Sequence, residues 1–451
     1  MAQARKRELH LGAFLSNVGM HFGAWRLPDT DPLQFLNIDY FKEMALTAER
    51  AKFDMVFFAK NSAIRAPFYA KYAITGSGTL DPTTVITALS AYTNRIGLVS
   101  SESTTYNDPF DVARKFASLD HVSKGRVGWN VVTSQLDGEA QNYGLDHHVE
   151  HKVRYERAEE FFDVVLKLWH SWDEDAIVAD KETGIFADIA KIHAIDHEGQ
   201  WFKVRGPLNV PRSPQGYPVV VQAGGSPEAL KHAAKHTEVL FSNPPTFEFA
   251  RKFYADLKAE MEAYGRAQEE LVYLPAVQTI VGKTEEEAKY KAEQLNSLVH
   301  PAIGVALLSM MLHFDLSGYD IDGPLPEIPN LDQVNSIKST AFHIVSLARE
   351  QNLTIRELGR RTAASRDYCQ FIGSAEQVAD QIEYWFTNHA CDGFNLTFPN
   401  LPGGLNDFAE LVVPLLQERG IFRKEYTGTT LREHLGLRYP SNKFSREELA
   451  K

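Results

Sequence analysis

Residues 9–25 read LHLGAFLSNVGMHFGAW, and the segment after the apolar run Leu9–Phe14 decides the fold. A continuous apolar run suits a parallel strand covered on both faces. Two architectures then compete, an open doubly wound sheet and a closed (β/α)8 TIM barrel. The doubly wound sheet predicts a dinucleotide loop, GxGxxG, directly after this strand, and residues 12–25 lack that spacing. Working outward, the same strand–helix unit recurs. Phe41, Met44, Ala45 and Ala48 fall on one side of a helix over Asp39–Lys52. Further strands are read at Phe53–Phe58, Arg95–Ser100, Arg126–Val132, Pro218–Ala223, Glu238–Ser242, Tyr273–Val281 and Asp392–Phe398, each with a helical segment after it. Eight such units give an α/β fold, a (β/α)8 TIM barrel with insertions. The expected organisation is a single elaborated barrel domain over 1–451. It carries irregular insertions at about 170–217, with a small hairpin, and 299–368, and a loose C-terminal tail over 438–451.

The composition is that of a soluble globular chain. Of 451 residues, 44% are hydrophobic and 24% charged, enough apolar content for a large core. The net charge of −12 argues against a general nucleic-acid binder, which needs a cationic surface. Two cysteines cannot build a disulfide framework or a cysteine-rich zinc site. No signal peptide and no stretch of 18 apolar residues is visible, so the expected location is the cytoplasm, away from any membrane.

In such a barrel the chemistry sits at the C-terminal ends of the strands. The first strand is followed by His21, Trp25 and Arg26, the second by Lys60, Asn61, Ser62 and Arg65, the third by Ser101, and Asn130 lies near the end of the fourth. After the fifth, Ala223-Gly224-Gly225-Ser226 turns the chain into a helix. Backbone N–H groups at a helix start, with a serine beside them, suit a phosphate, although Ser226-Pro227 is also an ordinary helix cap. His151 and Tyr155, spaced i, i+4, share a helix face and could serve the same anion. No GxSxG, HExxH or Walker loop is present. The histidines at 147, 148 and 151 lack a completing carboxylate motif, so no metal is expected. A phosphate pocket without metal or nucleophile points to a cofactor that carries the hard chemistry.

The stretch STTYNDPFDVARKFASLDHVSKGRVGWNVVTS, residues 103–134, resembles the bacterial-luciferase-like FMN-dependent monooxygenases. The branch is that of nitrilotriacetate monooxygenase, pristinamycin IIA synthase, dibenzothiophene-sulfone monooxygenase and long-chain alkane monooxygenase. GAWRLP, FDMVFFA, EHKVRYERAEEFFDVVLKLWHSW, QAGGS and the C-terminal DGFNL extend the likeness over nearly the whole chain. The resemblance implies a two-component enzyme that uses reduced FMN from a separate flavin reductase, and O2, on a small organic substrate. It implies Ser101 and Asn130 beside the flavin ring, and His151, Tyr155, Gly225 and Ser226 at its phosphate. It also implies a homodimer or homotetramer. Lys60 stands where the family carries an aspartate near the flavin, and a cation there either meets the flavin's pyrimidine edge or faces solvent. Gln135 stands where the alkane-oxidising relative has a histidine. His21 and Asn130 are the candidate catalytic residues, with Trp25 and Arg65 on the substrate side. Arg26, Lys60 and Arg65 at the mouth favour an anionic organosulfur or amine substrate with C–S or C–N cleavage. The rival readings are an F420-dependent dehydrogenase on the same barrel and a non-catalytic flavin-binding protein.

Overall fold

The computed structural model describes residues 7–64, 79–134, 136–329, 338–365 and 369–442. In chain order the strands are β1 (His10–Phe14), β2 (Met55–Phe58), β3 (Gly97–Ser103), β4 (Val127–Val132), β5 (His197–Glu198), β6 (Lys203–Val204), β7 (Val219–Ala223), β8 (Val239–Ser242), β9 (Val272–Gly282), β10 (Cys369–Ser374) and β11 (Gly393–Thr397). Eight of them pair in parallel in the order β11-β1-β2-β3-β4-β7-β8-β9, and β9 pairs back onto β11 to close the barrel. All eight expected strands are present. The first insertion carries the antiparallel hairpin β5–β6.

The barrel interior is apolar through its lower layers, with Met55, Val99, Val219, Val221, Val239 and Leu274 packed together. Leu431, Leu435 and Leu437, on and after a short helix over Leu431–His434, plug its N-terminal end. Around the outside run α1 (Ile38–Arg50), α2 (Pro82–Ser90), α3 (Pro109–Ser123), α5 (His151–Trp169), α6 (Pro227–His236), α7 (Phe247–Ala263), α8 (Glu285–Ser297) and α12 (Ala375–Thr387). Their starts are chemically marked: Asp81, Asp108, Ser226, Thr284 and Ser374 each accept a hydrogen bond from a first-turn backbone N–H. A short helix, α4 (Asp137–Asn142), precedes α5.

Three readings change. Region 299–368 is largely helical where it is described: it carries α9 (Pro301–Leu312), α10 (Lys338–Glu350) and α11 (Ile355–Ser365), and its stretch 313–329 is irregular as expected. Nine of the twelve residues of α9 are buried, so the helix has no polar face, and without that contrast the 3.6-residue period is invisible. It crosses α11 at Gly304 and Gly359, where a Cβ on Gly304 would stand 2.8 Å from the Gly359 backbone. The strand β10 was also missed. It extends the sheet by pairing with the outer half of β9, Val277–Gly282, and is only half-buried. The tail over 438–442 is tied rather than loose. Arg432 and Arg212 donate to the carbonyls of Arg438 and Pro440, and Asn442 Nδ2 donates to the Trp172 carbonyl and the Asp173 carboxylate. Residues 443–451 lie outside the described residues.

Candidate active site

The C-terminal ends of the barrel strands open into a cavity of about 1180 Å³. Its floor combines aromatic and amide groups. Phe57 on β2 and Phe241 on β8 approach to 5.0 Å between ring centres, and Phe14 on β1 stands 4.8 Å from Phe57. Asn130 on β4 and Asn395 on β11 line the same cavity. Inward-facing residues alternate along a strand, which places these side chains above the valine layers.

Ser101 and Asn130, on neighbouring strands, come together. Asn130 Nδ2 donates to Ser101 Oγ at 2.7 Å, and both residues are buried. Asn130 Oδ1 is buried with no hydrogen-bond partner among the described residues. An unsatisfied buried acceptor of this kind costs about 1–3 kcal/mol.

The glycine turn after β7 lies at one side of the cavity, with Gly224, Gly225 and Tyr155 in its wall. A Cβ on Gly225 would meet nothing closer than 4.0 Å, so the turn borders open space. Ser226 opens α6, its Oγ accepting from Ala229 N at 3.1 Å. His151 is exposed at the first turn of α5 and packs on Tyr155, rings 4.6 Å apart, outside the cavity wall proper. It is nonetheless near the α6 start. The Glu228 carboxyl there is held below its usual range by its own backbone N–H and the Ser226 hydroxyl, with the His151 charge contributing.

Behind this turn, His232 of α6 lines the cavity and donates from Nδ1 to Gln222 Oε1 at 2.7 Å. Burial lowers its pKa to about 4, so the ring is neutral near pH 7. Glu159 stands 3.7 Å from His232 and 3.3 Å from His236. The His236 contact holds the Glu159 carboxyl down at about 2.

The expected cations fare differently. Lys60 lines the cavity, but its Nζ donates to Glu102 Oε1 at 2.6 Å and lies 3.4 Å from Asp81. Burial works against its charge, yet the Glu102 hydrogen bond and charge outweigh this and raise its pKa. Glu102, fully buried, also accepts from Asn107 at 3.0 Å and Thr83 at 3.3 Å. Lys60 therefore neither faces open solvent nor stands unpaired. Arg26 donates to the Leu298 carbonyl. Arg65 and Gln135 lie outside the described residues.

His21 is buried in the cavity wall, its Nδ1 accepting from Gly23 N at 3.0 Å and its Nε2 facing Asn296 Oδ1 at 3.1 Å. Both ring nitrogens are engaged in tying the β1 loop to α8. Trp25 also lines the cavity and packs with the Val18–Ala24–Leu295 cluster. His148 is bonded to Tyr106 and Arg154. No metal-holding cluster of His, Cys, Asp or Glu occurs among the described residues.

Sequence reasoning missed Asn395 and the wall formed by Leu307, Met310 and Met311 of α9 with Thr362 of α11. For Asn395 a signal existed, a lone amide inside the apolar strand GFNLT. For α9 there was none, because its apolar sequence reads as core.

Among the described residues no single helix is long and apolar enough to cross a membrane. Comparison with known proteins gives a consistent result. Residues 17–390 match the luciferase-like monooxygenase family. The chain is 45% identical to N-acetyl-S-(2-succino)cysteine monooxygenase of Bacillus subtilis, over 98% of this chain and 100% of that one. It is 46% identical to nitrilotriacetate monooxygenase component A of Aminobacter aminovorans, over 97% and 98%. Among solved structures, DmoA from Hyphomicrobium sulfonivorans superposes with a TM-score of 0.84 at 32% identity, over 95% of this chain and 92% of that one. With a closed parallel barrel, a cavity at its C-terminal end and relatives matched over nearly their full length, the chain belongs to the luciferase-like monooxygenases.

Proposed function

We propose that this protein is the oxygenase of a two-component system. It takes reduced FMN from a separate flavin reductase and uses O2 to oxygenate a small carboxylic acid bearing a C–S or C–N bond, which is then cleaved. The observation that carries the reading is the polar track along one side of the cavity. Ser101 and Asn130 lie on the floor, and the Gly224-Gly225 turn and Tyr155 at the rim. The cavity volume of about 1180 Å³ exceeds the roughly 300–1000 Å³ of a pocket for one drug-sized ligand, leaving room for a second molecule.

The residues fit a flavin. The turn borders open space where a phosphate can approach backbone N–H groups at a helix start, with the Tyr155 hydroxyl beside it. The orphaned Asn130 Oδ1 suits a ring N–H. When bound, reduced FMN supplies the electrons that activate O2. The chain's own work is to hold the phosphate at Gly225, Ser226 and Tyr155, with His151 packed on Tyr155 from outside. It orients the ring on the Phe57–Phe241 floor through Ser101 and Asn130, and keeps water out with that apolar floor. Lys60 serves by neutralising Glu102.

The substrate class rests on the relatives, since Arg26 and Lys60 have internal partners. N-acetyl-S-(2-succino)cysteine and nitrilotriacetate are both polycarboxylic acids, one a thioether and the other an amine. Monooxygenase relatives at 45% and 46% identity favour oxygen chemistry over F420-type hydride transfer and over a non-catalytic flavin carrier. A homodimer or homotetramer in the cytoplasm completes the reading.

The test is O2 uptake with reduced FMN and these two acids, with products identified by mass spectrometry. Substrate-dependent oxygen incorporation supports the reading. Substrate oxidation in a parallel assay without O2, with oxidised F420 supplied as the hydride acceptor and converted to reduced F420, overturns it.

A further inference from the structure

The amide of Asn395 is a polar group without an internal purpose. The residue is 2% exposed on β11, its neighbours in register are Gly12 on β1 and Ala276 on β9, and it lines the cavity. Its Oδ1 has no hydrogen-bond partner among the described residues. The neighbouring strand makes room for it: a Cβ on Gly12 would stand 3.2 Å from this Oδ1, so any other residue there would crowd the amide. A fold under no other demand would place leucine here, which has the same branching and no orphaned atom.

Its position separates it from the polar track of the flavin reading. In the closed order β11-β1-β2-β3-β4-β7-β8-β9, β11 lies diametrically opposite β4, which carries Asn130. It is flanked by β1, whose loop carries His21 and Trp25, and by β9, after which the chain builds the wall of Leu307, Met310, Met311 and Thr362. On this side the cavity therefore offers an apolar, sulfur-rich wall above one unsatisfied amide. A half-turn of the terminal amide exchanges its oxygen and nitrogen, so the orphan position offers a donor as readily as an acceptor.

We propose that Asn395 is a substrate-anchoring residue: its amide hydrogen-bonds a carboxylate of the substrate, whose less polar remainder packs on the α9/α11 wall. The inference rests on the flavin reading for the opposite half of the cavity.

The experiment uses the full chain as wild type, Asn395→Leu and Asn395→Asp, with N-acetyl-S-(2-succino)cysteine and nitrilotriacetate as probes. Three quantities are read: the midpoint of thermal unfolding without ligand, the Kd for FMN, and KM against kcat for each acid. Asn395→Leu should unfold at or above the wild-type midpoint, because an orphaned amide is removed. Its FMN Kd should stay within about twofold of wild type. KM should rise about tenfold or more, the range for losing a hydrogen bond to a charged group. Asn395→Asp, which sets a carboxylate against a carboxylate, should raise KM further.

A fall of several degrees in the Asn395→Leu midpoint would make the amide structural. A weakened FMN Kd would make it a flavin contact. An unchanged KM, or a wild type that binds FMN but oxidises neither acid, overturns the carboxylate anchor. A wild type that binds no FMN instead removes the flavin reading beneath it.

Discussion

Arg423, at the N-terminal end of the barrel, and Asn395, at the C-terminal end, are both buried, 8% and 2% exposed, and they are treated differently. Arg423 donates to Asp54 at 2.6 Å, to Glu8 at 2.8 Å and to the His434 carbonyl at 2.9 Å. Asp54 in turn accepts from Leu11 N at 2.7 Å and meets His10 at 3.0 Å. Nearby, Arg432 pairs with Glu238, and Arg126 donates to four backbone carbonyls and to Thr93 Oγ1. Around Asn395 and Asn130 two buried amide oxygens have no partner among the described residues. The charged end holds the strand starts together through ion pairs that neutralise one another, although Asp120 Oδ2 and His434 Nδ1 there have no hydrogen-bond partner among the described residues. The amide end is left incomplete, which is what a ligand-binding floor requires.

Arg423→Ala is the sharpest way to break this contrast. Removing the guanidinium leaves the fully buried Asp54 carboxylate without its main counter-charge. The expected loss is about 3–5 kcal/mol of folding stability, the range for stranding one partner of a buried ion pair. Urea unfolding measures it. The fraction that remains folded should bind FMN normally, and a loss below about 1 kcal/mol would show that this end is not the stabilising one.

The next effect is on pH. His232 titrates at about 4 in the folded chain and near 6.5 when unfolded. A pKa lowered by folding means that the neutral ring is favoured in the native state. Its contribution is therefore fully present above about pH 6.5 and is lost as pH falls toward 4. The ceiling is about 3 kcal/mol. Between pH 7 and 4 the unfolding free energy of wild type should fall by up to about 3 kcal/mol more than that of His232→Gln. Parallel curves would show that the ring carries no such linkage.

Why these features differed in legibility is a matter of contrast along the chain. The strands were readable because parallel barrel strands are continuous apolar runs punctuated by capped helices, as at Asp81-Pro82 and Ser226-Pro227. Ser101, Asn130 and the glycine turn stand out in the sequence because they are polar or glycine positions in the second half of an apolar strand or directly after one. The partners of a charge were not: nothing local in FFAK tells that Lys60 will meet Glu102 across 42 residues. Nor does an apolar stretch such as PAIGVALLSMML reveal whether its side chains fill a core or wall a cavity, and α9 does both.

Gly304→Ala tests that double role. The new methyl carbon would stand 2.8 Å from the Gly359 backbone, so α9 and α11 must move apart. Overpacking of this kind costs about 1–3 kcal/mol. The shift should carry Leu307, Met310 and Met311 with it and change KM for the substrate, while the FMN Kd stays constant. An unchanged KM alongside a stability loss would confine the contact to packing.

The smallest expected effects concern the phosphate rim, and they need a control built in. Ser226 Oγ already accepts from Ala229 N, so Ser226→Ala removes a helix cap worth about 1 kcal/mol whether or not a phosphate binds. Weaker FMN binding in that variant alone is therefore ambiguous. Tyr155→Phe supplies the separation, because no hydrogen bond from its hydroxyl to the described residues competes with a ligand, while its ring contact with His151 is kept. It should leave the unfolding midpoint unchanged and weaken FMN binding by about 1–2 kcal/mol, the range for a hydrogen bond to a charged group. The same variant should bind riboflavin, which lacks the phosphate, as wild type does. Equal losses for FMN and riboflavin would place Tyr155 at the ring and not at the phosphate. No loss for either would take α5 out of the rim and leave the anion to the α6 turn.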